Sequence, residues 1–124
     1  MDRELIEEQL YLYWGPLCRR AGKRNVDYLL SCSAEARQIS IDQAPGGADM
    51  SVLDVVLILK GITDILMTGY KLIAVACKKG EPPPSEEEFI ERTVAAHPDV
   101  KPTSSDKEHL RTYYQAIKKK LAVK

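Results

Sequence analysis

This chain is poor in the residues that usually carry chemistry. Of 124 residues, only two are histidine, three cysteine, one tryptophan and one phenylalanine. Eighteen basic residues balance eighteen acidic ones, so no net charge draws the chain to nucleic acid or to a membrane. Any polyanion site must therefore come from local arrangement. Cys18, Cys32 and Cys77 are odd in number, widely spaced and without a CxxC pair, which argues against both a disulfide framework and a zinc site. Buried free thiols are expected instead. Even in the most apolar stretch, Ser51 to Lys79, the longest run without a charged or small polar residue is about six, whereas a membrane-spanning helix needs roughly 20 apolar ones. The opening MDRELIEEQLYLYW begins with acids and lacks the basic-then-apolar order of a secretory signal. A reducing cytoplasm is the expected compartment, with no membrane contact.

What is present is helical periodicity. Ser51 to Lys79 is apolar around most of its circumference when laid out at about 100° per residue. Asp54, Gly61, Asp64, Thr68 and Lys71 fall in one narrow stripe, and leucine, isoleucine and valine fill most of the rest. A helix this apolar is expected to be wrapped by other helices. The fold class that follows is all-α: an irregular bundle of about five helices around a long central apolar helix, about 51–79. The whole chain, 1–124, is expected to form a single helical domain.

Local signals place the other helices. Asp2 starts a first one through Leu5, Ile6, Leu10, Tyr13 and Leu17, interrupted at Gly15-Pro16 because proline lacks an N–H. Either a kink or a stop with Pro16 reopening the helix is expected. Gly22 marks an end, and Asn25 is positioned to cap a second helix to about Ile39. Residues 42–49, DQAPGGAD, carry turn chemistry; they lack the Lys-Ser/Thr ending of a phosphate loop. Ser51 with Asp54 resembles a capping box. Gly80 sits where a C′ glycine belongs, followed by a stiff Pro82-Pro83-Pro84 connector. Ser85 with Glu88 and Ser105 with Glu108 read as capping boxes opening the last two helices. The residue before Pro98 ends the first of these. The only candidate for a strand is the short ISID stretch near residue 40.

The basic residues are clustered: Arg19, Arg20, Lys23 and Arg24; Lys78 and Lys79; Lys118, Lys119, Lys120 and the final Lys124. Each cluster lies in the last turn of an expected helix or just past it, while acids gather at the opposite ends. A helix macrodipole prefers that polarity, at roughly 0.3–1 kcal/mol per charge. The functional reading of the same residues is a nucleic-acid-binding surface. If the helices run the same way, their basic ends meet at one pole and grip several phosphates. Tyr11, Tyr13, Trp14, Tyr113 and Tyr114 are candidate stacking faces, although Tyr13 and Tyr113 fall on apolar stripes.

Catalytic candidates are few. His109 is expected to face solvent, and His97 follows Phe89 and Thr93 at intervals of four, closing the apolar face of its helix. Glu87, Glu88 and Glu91 are neighbours without a histidine at the spacing of di-metal carboxylate sites, so no metal or other cofactor is expected. Arg92-Thr93-Val94-Ala95-Ala96-His97 resembles the Arg-x4-His motif of the HEPN ribonucleases, small all-helical proteins whose arginine and histidine meet at a dimer interface and cut RNA without metal. The resemblance covers six residues and lacks the polar residue that family usually carries after the arginine.

The expected function is a non-catalytic helical subunit of a larger assembly, most plausibly a nucleoprotein complex in which the basic helix ends follow a phosphate backbone. Small subunits of CRISPR effector complexes and helical coat proteins of filamentous viruses are analogous in size and class alone. Its partners would be other protein subunits or copies of itself, together with nucleic acid. The alternatives are the HEPN-like ribonuclease using Arg92 and His97, and a protein-binding adaptor with a groove beside the central helix.

Overall fold

The computed structural model defines residues 3–34, 50–98 and 101–121. Among these residues every regular element is an α-helix: α1 (Arg3–Tyr13), α2 (Gly15–Ala21), α3 (Lys23–Ala34), α4 (Met50–Lys78), α5 (Glu86–Ala95) and α6 (Ser104–Lys120). The expected loop 42–49, the tail of the second expected helix and the ISID stretch lie outside the described residues. The chain divides into two compact units, Asp2–Asp64 and Ile65–Lys124, with the division falling inside α4.

In the first unit, the Gly15-Pro16 pair separates α1 from α2. Trp14 leaves the helical conformation at φ −125° and ψ 30°, and the proline enters the first turn of α2, where its missing N–H costs nothing. Leu5, Ile6 and Leu10 of α1, Cys18 and Ala21 of α2, and Val26, Leu29 and Leu30 of α3 are buried. The Arg3 guanidinium reaches from α1 to α3, donating to Ser31 Oγ at 3.0 Å and to the Asp27 carbonyl at 3.4 Å. Asn25 does not cap a helix. Lys23 already begins α3, and the buried Asn25 Nδ2 donates back to the Ala21 carbonyl at 2.8 Å, tying the end of α2 to the start of α3.

In the second unit, Leu66 and Ile73 of α4, Phe89 of α5 and Leu110, Tyr113, Tyr114 and Ile117 of α6 are buried. The Phe89 ring lies 5.1 Å from that of Tyr114 and 6.4 Å from that of Tyr113, both tilted. The tyrosine hydroxyls are not stranded: Tyr113 donates to the Leu66 carbonyl at 2.7 Å and Tyr114 to the Pro84 carbonyl at 2.6 Å. Gly69 leaves room for the Phe89 ring, since a Cβ there would lie 2.7 Å from Phe89 Cζ.

Helix α4 ends as expected. Gly80 takes φ 72°, and the Glu81 N–H reaches the Ala76 carbonyl while the Gly80 N–H reaches that of Cys77, a Schellman closure. Ser85 caps α5 by accepting from the Glu88 N–H. The cap of α6 lies two residues earlier than Ser105. Thr103 accepts from Asp106 N, and the Asp106 carboxylate accepts from Thr103 N. The shorter aspartate still closes the reciprocal box, and Ser105 is already inside the helix. Ser51 likewise lies within α4.

The expectation that α4 is covered on nearly every side needs correction. Leu57, Ile58 and Val75 are each about half exposed, at 51%, 52% and 49%. At about 100° per residue, Leu57 and Val75 fall within the arc of Asp54, Gly61, Asp64, Thr68 and Lys71. The outward stripe is thus polar residues interrupted by large apolar ones.

Candidate functional site

The junction between α2 and α3 concentrates positive charge. Cys18 and Ala21 point into the first unit, leaving Arg19 and Arg20 exposed between them. Gly22 then turns the chain at φ 91°, a left-handed value that suits glycine, and Asn25 fixes the turn from within. Lys23 and Arg24 are exposed on its far side. Four exposed cations thus stand within six residues around this turn. None of the four has a carboxylate within ion-pair distance among the described residues.

Helix polarity accounts for only half of this cluster. Arg19 and Arg20 occupy the last turn of α2, where the macrodipole favours cations. Lys23 and Arg24, expected beyond a helix end, instead open α3, whose first turn contains no acid. There the dipole opposes them, and the sequence missed this because Asn25 looked like the cap.

The other predicted binding residues belong to the second unit. Lys78 closes α4 and Lys79 follows it, both exposed. Lys118, Lys119 and Lys120 form the last turn of α6, with Lys118 Nζ held 5.3 Å from the centre of the Tyr114 ring. These five positions do follow helix polarity. Of the candidate stacking rings, Tyr113 and Tyr114 are core. Tyr13 and Trp14, both half-buried, meet edge to face with centroids 6.2 Å apart.

The titratable groups near the junction are not activated. Burial pushes the Cys18 thiol above its ordinary range, with Arg19 pulling it partly back. A thiol so shifted stays protonated at neutral pH and is a poor nucleophile. Burial also raises the Tyr11 hydroxyl, helped by Cys18, Asp27 and Glu7.

Arg92 and His97 are already engaged. His97 Nε2 lies 2.7 Å from Thr68 Oγ1, a partner on α4 that the Arg-x4-His spacing gave no sign of. The Arg92 guanidinium stands 3.7 Å from Glu88, four residues earlier. His109, expected in solvent, is half-buried. Among the described residues no three or more His, Cys, Asp or Glu side chains come together as metal ligands. No helix among them is long and apolar enough to cross a membrane.

A groove of about 570 Å³ runs along the C-terminal part of α4. Thr68, Leu72, Val75 and Ala76 form one wall, and the Pro82–Pro84 connector with Glu88 and Arg92 forms the other. Lys71 and Lys79 stand on the α4 side. No known family, curated protein or solved structure matches the chain.

Proposed function

We propose that this chain is a non-catalytic helical subunit of a larger assembly, with α4 as its spine, and that it holds a nucleic-acid phosphate backbone at the α2–α3 corner. The observation that carries the reading is the placement of Lys23 and Arg24. They follow Arg19 and Arg20 in the chain at a helix start whose dipole disfavours them, and none of the four is ion-paired with a carboxylate among the described residues. A bound phosphate would do so, adding its charge where four cations and a helix N-terminus converge. The half-exposed Leu57 and Ile58 support the assembly part of the reading, since large apolar residues together on one surface suit a covered interface. Lys78, Lys79 and Lys118–Lys120, in the second unit, make phosphate contacts of their own in this proposal.

The test is binding of labelled single-stranded and duplex nucleic acid across a salt series. Changing Arg19, Arg20, Lys23 and Arg24 together to alanine should flatten the log–log salt slope by about 3 for single strands. Combining these changes with alanine at Lys118–Lys120 should weaken binding far more than either set alone. Apart from the half-buried Lys118, these are exposed positions, so circular dichroism should be unchanged. An unaltered slope in the four-residue variant removes the proposal. Metal-free RNA cleavage abolished by His97→Ala would replace it with the ribonuclease reading.

A further inference from the structure

Val75 is a large apolar side chain left half exposed in the wall of the α4 groove. Four residues before and after it stand Lys71 and Lys79, both exposed. Residues so spaced share one helix face, and the two lysines are about 12 Å apart along the axis at 1.5 Å per residue. Neither is paired with a carboxylate among the described residues. The facing wall differs, because Arg92 there already has Glu88 at 3.7 Å. The groove's unmatched cations among the described residues therefore stand on its α4 side, before and after an apolar patch made by Val75 and Leu72, while Glu81 lies at the connector end of the opposite wall.

We propose that this groove docks an acidic amphipathic helix from a protein partner. One of its aliphatic residues would sit on Leu72 and Val75, with carboxylates about a turn before and after reaching Lys71 and Lys79. This goes beyond the phosphate reading and uses different residues, Lys79 excepted. Charge complementarity selects the occupant. A sugar–phosphate strand has nothing to place on Leu72, Val75 and the proline rings. An aliphatic side chain between two carboxylates satisfies both parts of the wall, in the manner of a helix laid into a groove. The Pro82–Pro84 run keeps the opposite wall stiff, so little ordering is lost on binding.

The probe is a fluorescein-labelled helical peptide with a central leucine and a glutamate four residues to each side, followed by anisotropy at low salt against the full chain. The expected result is saturable binding, weakened about tenfold by Lys71→Glu with Lys79→Glu, the scale of two exposed ion pairs lost and reversed. Val75→Asp should weaken it comparably. The same peptide with lysines for glutamates should fail on the natural chain and bind the double glutamate variant. That charge swap holds even if one protein variant folds poorly, because the peptide change alone must abolish binding. No discrimination between the two peptides overturns the proposal. So does loss of nucleic-acid binding, rather than peptide binding, in the Lys71/Lys79 variant. The Arg19/Arg20/Lys23/Arg24 alanine variant should keep peptide binding, so failure here and failure at the α2–α3 corner are told apart.

Discussion

The second unit answers both arginines of α5 and α6 within itself; in the first, no carboxylate among the described residues is paired with the densest basic cluster. Arg92 meets Glu88, and Arg111 meets both Glu86 and Glu108. Gln115 adds a hydrogen bond to Glu86 at 2.9 Å. Both helices open on a side-chain cap with acid in the first turn. At the start of α3 there is no acid, and two cations stand there beside the two that end α2. Exposed ion pairs contribute only about 0.2–1 kcal/mol each, so this difference matters little for total stability. What it separates is charge used in building helices from charge left for something else. A sequence shows clusters of lysine and arginine; the helix boundaries show which of them serve the fold.

The comparison breaks first at the core of the second unit. Phe89 is fully buried against Tyr113 and Tyr114, and Phe89→Ala should cost about 3–5 kcal/mol in denaturant unfolding. If each unit has its own core, amide exchange should quicken in α5 and α6 and much less in α1–α3. Equal quickening throughout would dissolve the distinction. A finer contrast uses two glycines of the same helix. At Gly61, in the first unit, a Cβ would meet nothing within 4 Å, so Gly61→Ala should stabilise by about 0.4–1 kcal/mol. At Gly69 the added Cβ would drive into a Phe89 ring that has no room to swing. Gly69→Ala should therefore destabilise by about 1–3 kcal/mol. Melting temperatures moving in the same direction would contradict the packing described for α4.

How far the sequence could be read follows the range of the forces involved. Local signals were legible. Pro16 reopened a helix, Gly80 closed one, and Ser85 capped one, because each acts within a turn of its own position. Where several small polar residues compete, the local signal was ambiguous: Thr103 rather than Ser105 caps α6, and Asn25 bonds backward to Ala21 instead of starting α3. That second misreading moved Lys23 and Arg24 from a helix end to a helix start, reversing the sign of their dipole interaction. Tertiary choices were not legible. The exposed Leu57 and Val75 are a different case: the 100° layout already puts them inside the stripe of Asp54 and Lys71, and the expectation of nearly complete cover overlooked it. The Thr68–His97 contact joins residues 29 apart, and nothing in the Arg-x4-His spacing announced it.

The smallest effect is the most discriminating. If Lys23 and Arg24 are present only as surface charges, replacing them with glutamate should do nothing except help the fold. Glutamate in the first turn of α3 would be favoured by the N-terminal dipole, and removal of each cation relieves an opposed one, worth about 0.3–1 kcal/mol per charge at low salt. The reversed charges would also lie near Arg19 and Arg20, adding a modest local attraction. Lys23→Glu with Arg24→Glu should thus raise the unfolding midpoint of the chain, with the gain shrinking as salt screens it. On the proposed function, the same variant should lose nucleic-acid binding, because two of the four proposed phosphate contacts become repulsive. Stability and binding moving in opposite directions is the signature of a site maintained at a cost to its helix. A variant that is more stable and binds equally well would make the corner an accident of sequence and leave the charge contrast between the two units without functional meaning.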